Sequence, residues 1–69
     1  MITLKFENKD FYISTCNTPD RGLETMVFEK ENGCIIWREV ESRLHGNDSH
    51  AETFHKEMIT KWVINENNN

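Results

Sequence analysis

The stretch LETMVFEKENGCIIW, from Leu23 to Trp37, decides the fold because it encodes a complete β-hairpin. Asn32-Gly33 lies at its centre, and both residues tolerate the left-handed backbone angles that a type I′ turn requires. Aromatic and β-branched residues, which favour strands, flank this turn on both sides. The sequence therefore predicts two antiparallel strands, residues 23–31 and 34–40.

A two-residue turn also predicts the register of the hairpin. Glu31 should pair with Cys34, and Phe28 with Trp37, while Glu24 falls opposite Glu41. Strand residues alternate between two faces. We expect the core-facing side chains to be Met26, Phe28, Ile35 and Trp37. The opposite face would then carry Thr25, Val27, Glu29, Cys34, Ile36, Arg38 and Val40.

A second hairpin is predicted before this one. Apolar and polar residues alternate over Ile2–Glu7, and Phe11–Thr15 is rich in aromatic and β-branched residues. The segment Cys16–Gly22 reads as a loop, because Pro19 has no amide hydrogen to contribute to strand pairing. Gly22 can take the positive φ that such a loop needs.

A helix is predicted after the strands. Ser49 and Glu52 have the spacing of a capping box, so the helix should begin at this serine. It should end near Val63 or Asn65. One apolar stripe at helical spacing runs along it. The stripe consists of Ala51, Phe54, Met58, Ile59, Trp62 and Val63.

These elements define an α+β fold of the order β-β-β-β-α. Two hairpins form a four-stranded antiparallel sheet, and one C-terminal helix packs on a single face. A chain of 69 residues supports one domain. We assign residues 1–66 to that domain and residues 67–69 to a disordered tail.

Composition argues against several functional classes. The formal net charge is −4, and the Lys and Arg residues are scattered. A nucleic-acid-binding domain needs a basic stripe, so direct nucleic-acid binding is not expected. No apolar run is long enough for a transmembrane helix, and the N-terminus does not resemble a signal peptide. We expect a cytoplasmic protein that makes no membrane contact.

Residues that could support catalysis or metal binding are few and poorly spaced. His50 and His55 are five apart and do not share a helix face, and Cys16 and Cys34 form no CxxC motif. A cysteine nucleophile with His55 as its base has no fixed geometry in the sequence. We predict a non-enzymatic protein with free thiols, no metal and no cofactor.

Charged residues of the central hairpin and its preceding loop are the candidate binding site. Acidic side chains on a rigid sheet can imitate a phosphate backbone. The charged pair Asp20-Arg21 has no evident role in folding. The predicted binding residues are Asp20, Arg21, Glu24, Glu29, Glu31, Arg38, Glu39 and Glu41.

Three motifs resemble a group of small proteins encoded in phage and prophage genomes. They are Ser14-Thr15, the run Glu24–Phe28 (ETMVF), and Ala51-Glu52 followed by His55. The resemblance spans residues 14–58, although the loop CNTPDRG is shorter than in that group and the Asn-Gly hairpin is this chain's own. It implies a phage or mobile-element origin and no particular activity.

The function predicted from these observations is that of an accessory protein. It would bind and inhibit a host protein, such as a defence or nucleic-acid enzyme, through the acidic sheet surface. One alternative is an oligomer that binds a nucleotide-like signal using Arg21, Arg38, Trp37 and Tyr12. Another is a virion or assembly protein. A homodimer through Val27, Ile36 and Val40 is a further expectation.

Overall fold

The structure is a computed structural model, and it describes residues 2–64. The predicted tail, residues 67–69, lies outside the described residues. The elements follow one another as β1 (Leu4–Glu7), β2 (Phe11–Thr18), β3 (Gly22–Glu31), β4 (Cys34–Leu44) and α1 (Asp48–Met58). A π-helical segment, Ile59–Ile64, directly continues α1.

The predicted α+β fold is confirmed. The four strands form one antiparallel sheet in the order β1-β2-β3-β4. Helix α1 packs on β2 and β3, and the π-helical segment packs on β2. The helix therefore covers one face of the sheet. Among residues 2–64, no helix lies over the other face, termed here the open sheet face.

Each of the first two turns is closed by a side chain. Asn8 Oδ1 accepts hydrogen bonds from the amides of Asp10 and Phe11, at 2.8 and 2.7 Å, and so joins β1 to β2. Thr18 Oγ1 accepts from the Arg21 amide at 3.2 Å in the next turn. Such side-chain bonds replace backbone pairing in tight turns.

The predicted loop Cys16–Gly22 is largely wrong. Strand β2 continues to Thr18 and β3 begins at Gly22, so only residues 19–21 connect them. Cys16 pairs with Glu24, and Thr18 pairs with Gly22. Proline still ends the strand, and Gly22 has the expected positive φ of 84°. The extra pairing was hidden because Cys16-Asn17-Thr18 has no apolar alternation.

The Asn32-Gly33 turn is confirmed. Both residues have positive φ, 52° and 81° respectively, as a type I′ turn demands. Next to the turn, the predicted pairs of Glu31 with Cys34 and Lys30 with Ile35 are present. Local turn chemistry therefore fixes the register only for the first two pairs.

Farther from the turn, the predicted register is wrong. Two irregularities interrupt the β3–β4 ladder, one between Lys30 and Phe28 and one between Phe28 and Val27. Phe28 consequently pairs with Glu39 rather than Trp37. Glu24 pairs with Leu44 rather than Glu41. Bulges insert unpaired residues on one strand and re-aim the side chains that follow, here on β4.

The predicted core face of the central hairpin is not the face that the helix covers, although Phe28 on it is buried as predicted. Val27 and Thr25 are fully buried on the helix side, opposite Ile13 and Thr15 of β2. Trp37, predicted to be buried, is 72% exposed. The physical reason is that pairing with β2 sets the orientation of β3, so Val27 follows Ile13 into the core. The core cluster consists of Phe11, Ile13, Val27, Met58 and Val63.

The apolar stripe of the helix was predicted correctly. Ala51, Met58 and Val63 are buried, and Phe54, Ile59 and Trp62 are partly buried. Its start differs from the prediction, because Asn47 is the N-cap and its Oδ1 accepts from the His50 amide at 2.8 Å. An asparagine in this position satisfies an amide that the helix itself leaves unpaired.

Candidate functional site

Aromatic side chains form a cluster on the open sheet face. The Trp37 ring makes edge contacts with Phe28 and Tyr12, at centroid distances of 5.2 and 6.1 Å. Tyr12 and Phe28 themselves stack at 6.1 Å. Phe28 is buried, Tyr12 is half-buried and Trp37 is the most exposed large apolar residue described. Two aromatic rings thus support an exposed tryptophan.

The charges beside this cluster are partly paired. Lys30 Nζ lies against Glu7 Oε2 and donates to the Asn8 carbonyl at 2.9 Å. Arg38 and Glu39, next to Trp37 in sequence, are both exposed. The exposed tryptophan therefore has charged neighbours that remain available to solvent.

The sequence predicted that Glu24 lies on an acidic surface, and this prediction is wrong. Its side chain is only 2% exposed, although Arg21 Nη2 lies 3.2 Å from its Oε2. The Arg21 side chain is 55% exposed and forms an ion pair with Glu24 without hydrogen-bond geometry at that oxygen. These two predicted binding residues therefore neutralise each other.

Glu41 is likewise engaged inside the molecule. Its Oε1 accepts hydrogen bonds from Lys61 Nζ at 2.8 Å and from Trp62 Nε1 at 2.9 Å. The hydrogen bond from Lys61 is the main cause that lowers the pKa of the Glu41 carboxyl below its usual range. Glu41 therefore ties the π-helical segment to β4.

The other predicted binding residues remain at the surface. The exposed members are Asp20, Glu29, Glu31, Arg38 and Glu39. Gly22 and Phe28 are six residues apart, so the Arg21 turn and the Trp37 cluster are separated by roughly 20 Å along β3. The predicted residues therefore do not form one continuous site.

The prediction that Val27 is part of an exposed dimer face is wrong. Val27 is fully buried beneath the helix, whereas Ile36 and Val40 are 39% and 38% exposed. The bulged β4 strand therefore separates residues that simple alternation placed on one face.

A buried polar network lies on the opposite, helix-covered side of the sheet. His55 Nδ1 is 2.7 Å from Thr15 Oγ1, which is 2.6 Å from Thr25 Oγ1. Thr25 Oγ1 is in turn 2.9 Å from His45 Nε2. We call these four side chains the His–Thr network. It joins a residue of α1 to the residue that follows β4, through two neighbouring strands.

Counting protons constrains this network. Three hydrogen bonds need three protons, and each threonine hydroxyl supplies one. The third proton must come from one inward-facing ring nitrogen, either His55 Nδ1 or His45 Nε2. If both nitrogens carried protons, the three hydrogen bonds would contain four protons, and two of these would lie between the same pair of heavy atoms. The intact network therefore admits at most one histidinium, because the cation carries protons on both ring nitrogens.

Burial disfavours charge on both histidines. Desolvation lowers the pKa of His55 below its usual value. Desolvation also lowers the pKa of His45, and the positive charges of Arg43 and His50 lower it further. Both rings are thus held toward the neutral form, which matches the proton count of the network.

A pocket of about 240 Å³ opens beside His45. The Arg43 guanidinium carbon lies 5.6 Å from the centroid of the Phe54 ring, and the His45 ring lies 5.3 Å from it. We call this cavity the Arg43 pocket. Its lining residues are Arg43, Leu44, His45, Gly46, His50, Thr53, Phe54 and Glu57.

The motif residues noted in the sequence come together in this structure. Thr15, Thr25 and His55 belong to the three separate motifs and meet in the His–Thr network. From the sequence, His55 was considered only as a possible metal ligand or catalytic base. One signal was available, because His55 lies four residues after Ala51 and three before Met58, within the apolar stripe.

Both cysteines are free, as the sequence predicted. Cys16 pairs with Glu24 on the open sheet face, whereas His55 bonds Thr15 on the helix side. Adjacent strand residues point to opposite faces. Cys16 is therefore separated from His55 by the sheet, and the Cys–His arrangement considered from sequence is not formed.

No protein-family model, curated protein or solved structure matched the chain. Within residues 2–64, neither helical segment has the length and apolar character needed to span a bilayer.

Proposed function

We propose that the protein is a non-enzymatic accessory protein of phage type that binds and inhibits a host protein through the open sheet face. The observation that carries this proposal is the 72% exposure of Trp37 above the rings of Tyr12 and Phe28. Tryptophan is strongly enriched among the residues that dominate binding energy in protein interfaces. A large side chain held rigidly before binding loses little conformational entropy on association.

The partner would be a protein with an apolar pocket bordered by basic residues. The net charge of −4 and the exposed carboxylate of Glu39, which pairs with Phe28 beside the aromatic cluster, favour a basic partner. Complementary charges accelerate association and orient the partner, while the buried aromatic contact supplies most of the affinity. The resemblance to phage proteins supports a target in the host cell.

The test compares three immobilised proteins in host-cell lysate: wild type, Trp37→Ala and Lys56→Ala. Lys56 is exposed on the helix, on the other side of the molecule from the open sheet face. A partner of the proposed kind binds wild type and Lys56→Ala but is lost with Trp37→Ala. Loss of a central tryptophan typically costs about 2 kcal/mol or more, a roughly 30-fold change in Kd. A proteome in which no protein follows this pattern contradicts the proposal.

A second candidate, binding of a nucleotide-like small molecule, is favoured by one contact. Tyr12 and Trp37 lie edge to face at 6.1 Å and could stack on a planar base. Of the two predicted cationic contributors, Arg38 is exposed, whereas Arg21 is paired with Glu24 near the far end of β3. Mass spectrometry of small molecules released by denaturing the purified protein separates the two candidates, because only this one predicts a retained ligand.

We also propose that two copies of the chain form a homodimer through Ile36 and Val40. These are the two predicted dimer residues that are exposed. Light scattering after size exclusion measures the mass directly, and a monomer at high protein concentration contradicts it. An Ile36→Lys variant should shift a dimer to monomer, because it places a charge in an apolar contact.

A further inference from the structure

Three cationic or potentially cationic side chains converge on the Arg43 pocket, which the proposed function does not use. Arg43, His45 and His50 come from β4, from the residue after it and from α1. Glu57 is the carboxylate that lines the same pocket. Within residues 2–64, no carboxylate lies within ion-pair distance of Arg43. Arg43 therefore presents a positive charge without an ion-pair partner at one concave place on an acidic protein, beside two imidazoles that can each accept a proton.

We propose that the Arg43 pocket binds a phosphate group, and that the His–Thr network transmits its presence to buried His55. The guanidinium of Arg43 presents a planar set of donors that matches phosphate oxygens. Thr53 supplies a hydroxyl at the same pocket. A volume of about 240 Å³ suits a phosphate with a small substituent better than a whole nucleotide.

Arg43 is oriented before any ligand arrives. Its guanidinium lies over the Phe54 ring, and such stacking leaves the in-plane N–H groups free to donate. His45 is held by two contacts: its Nε2 bonds Thr25 Oγ1, and its amide donates to the Leu23 carbonyl at 2.9 Å. Its Nδ1 is left outside the His–Thr network. The pocket therefore needs little rearrangement to receive an anion.

The coupling to His55 follows from the proton count. A phosphate dianion beside His45 offsets the repulsion by Arg43 and His50 and favours the His45 cation. That cation donates from Nε2 to Thr25, so Thr25 must donate to Thr15, and Thr15 must donate to His55 Nδ1. His55 then carries its proton on Nε2 alone. Occupancy of the pocket thus fixes the tautomer of a histidine buried beneath the helix.

The experiment is nitrogen-15 NMR of the histidine side chains during titration with inorganic phosphate near neutral pH. Sodium chloride of matched ionic strength is the reference, and glycerol phosphate is a second ligand that distinguishes free phosphate from a phosphate ester. We expect saturable shifts at His45 and His50 and a raised pKa for His45. Arg43→Gln should weaken binding at least tenfold. Lys5→Gln, which removes one positive charge from an exposed position on β1, should change binding less than twofold.

The coupling has its own readout. In wild type, phosphate should move His55 Nδ1 to the chemical shift of an unprotonated nitrogen. Thr25→Val should abolish this response while leaving the shift of His50 intact, and Thr25→Ser, which retains the hydroxyl, should restore it. Shifts that never saturate, that chloride reproduces, or that survive Arg43→Gln overturn the binding site. A His55 response that persists in Thr25→Val overturns the coupling.

Discussion

Thr15 Oγ1 and Thr25 Oγ1 lie 2.6 Å apart across β2 and β3, and each also reaches a histidine. Both threonines are fully buried. Two hydroxyls with no access to water must satisfy each other and the ring nitrogens together. This pair is therefore the centre of a polar network inside a thin core.

Replacing either threonine with valine should destabilise the protein by about 1–3 kcal/mol, because a histidine nitrogen is left buried without its partner. The double variant should cost less than the sum, since both hydroxyls serve one network. Urea unfolding of Thr15→Val, Thr25→Val and the double variant measures this. Thr3→Val, at an exposed position, is the control and should stay within about 0.5 kcal/mol of wild type. Strict additivity would show that the hydroxyls act independently.

Stability should fall as the pH decreases below about 6.5, the usual pKa of histidine. Burial lowers the pKa of His55 in the folded state, so between the two values the unfolded chain binds more protons. The stabilisation is thus complete above about pH 6.5 and is lost as the pH falls to the folded-state pKa. One such group gives a slope of at most about 1.4 kcal/mol per pH unit.

Urea unfolding at a series of pH values checks this dependence. His55→Gln should flatten the slope below pH 6.5, whereas Thr3→Val, a change at an exposed position without a titratable group, should leave it unchanged. Part of the slope should remain in His55→Gln, because the pKa of His45 is also lowered. Glu41 gives a separate loss below about pH 4.5, where its carboxylate becomes protonated. Equal slopes in wild type and His55→Gln would refute the assignment.

The two tryptophans should differ sharply in their contribution to stability. Trp62 packs against the core, lies 6.0 Å from the Phe11 ring and donates to Glu41, so Trp62→Ala should cost about 2–4 kcal/mol. Trp37→Ala loses only edge contacts at the surface and should cost about 1 kcal/mol. Acrylamide should quench Trp37 in Trp62→Phe more strongly than Trp62 in Trp37→Phe. The opposite order of quenching would place Trp37 in the core.

Gly33→Ala should destabilise the protein by about 1–2 kcal/mol, because φ is 81° at this position. Gly46→Ala is the matched control: no heavy atom lies within 4 Å of the added Cβ, and φ is not in the left-handed region. It should be neutral or stabilise by about 0.4–1 kcal/mol. Thermal unfolding of the two variants measures the difference. Comparable losses in both would mean that the turn conformation is not the cause.

Features set by neighbouring residues were predictable from the sequence, and features set by distant ones were not. The Asn32-Gly33 turn and the helical stripe from Ala51 to Val63 depend on local conformation and spacing, and both were predicted. The orientation of Val27 depends on Ile13, which lies in another hairpin. The bulges in β4 depend on how the whole sheet packs, so alternation alone placed Trp37 in the core.

The candidate sites divide in the same way. Trp37 and Tyr12 were predicted to act together only in the alternative in which the protein binds a nucleotide-like signal. The main prediction placed Trp37 in the core. Thr15 and Thr25 each look like ordinary strand positions, because threonine favours strands in any case. Their role appears only when β2 and β3 pair and α1 brings His55 above them. Nothing in the sequence marked Arg43 as a site residue, because the predicted strand ended at Val40.

The irregular pairing of β3 with β4 divides the hairpin into two separately aligned halves. Near the turn, Lys30 pairs with Ile35, and at the other end Thr25 pairs with Arg43, with the bulged residues between them. The bulges can absorb an added or lost residue, so a change in length near the turn need not move Arg43 or Thr25. A change in length there would therefore alter the surface around Trp37 and leave in place the pairing that positions Thr25.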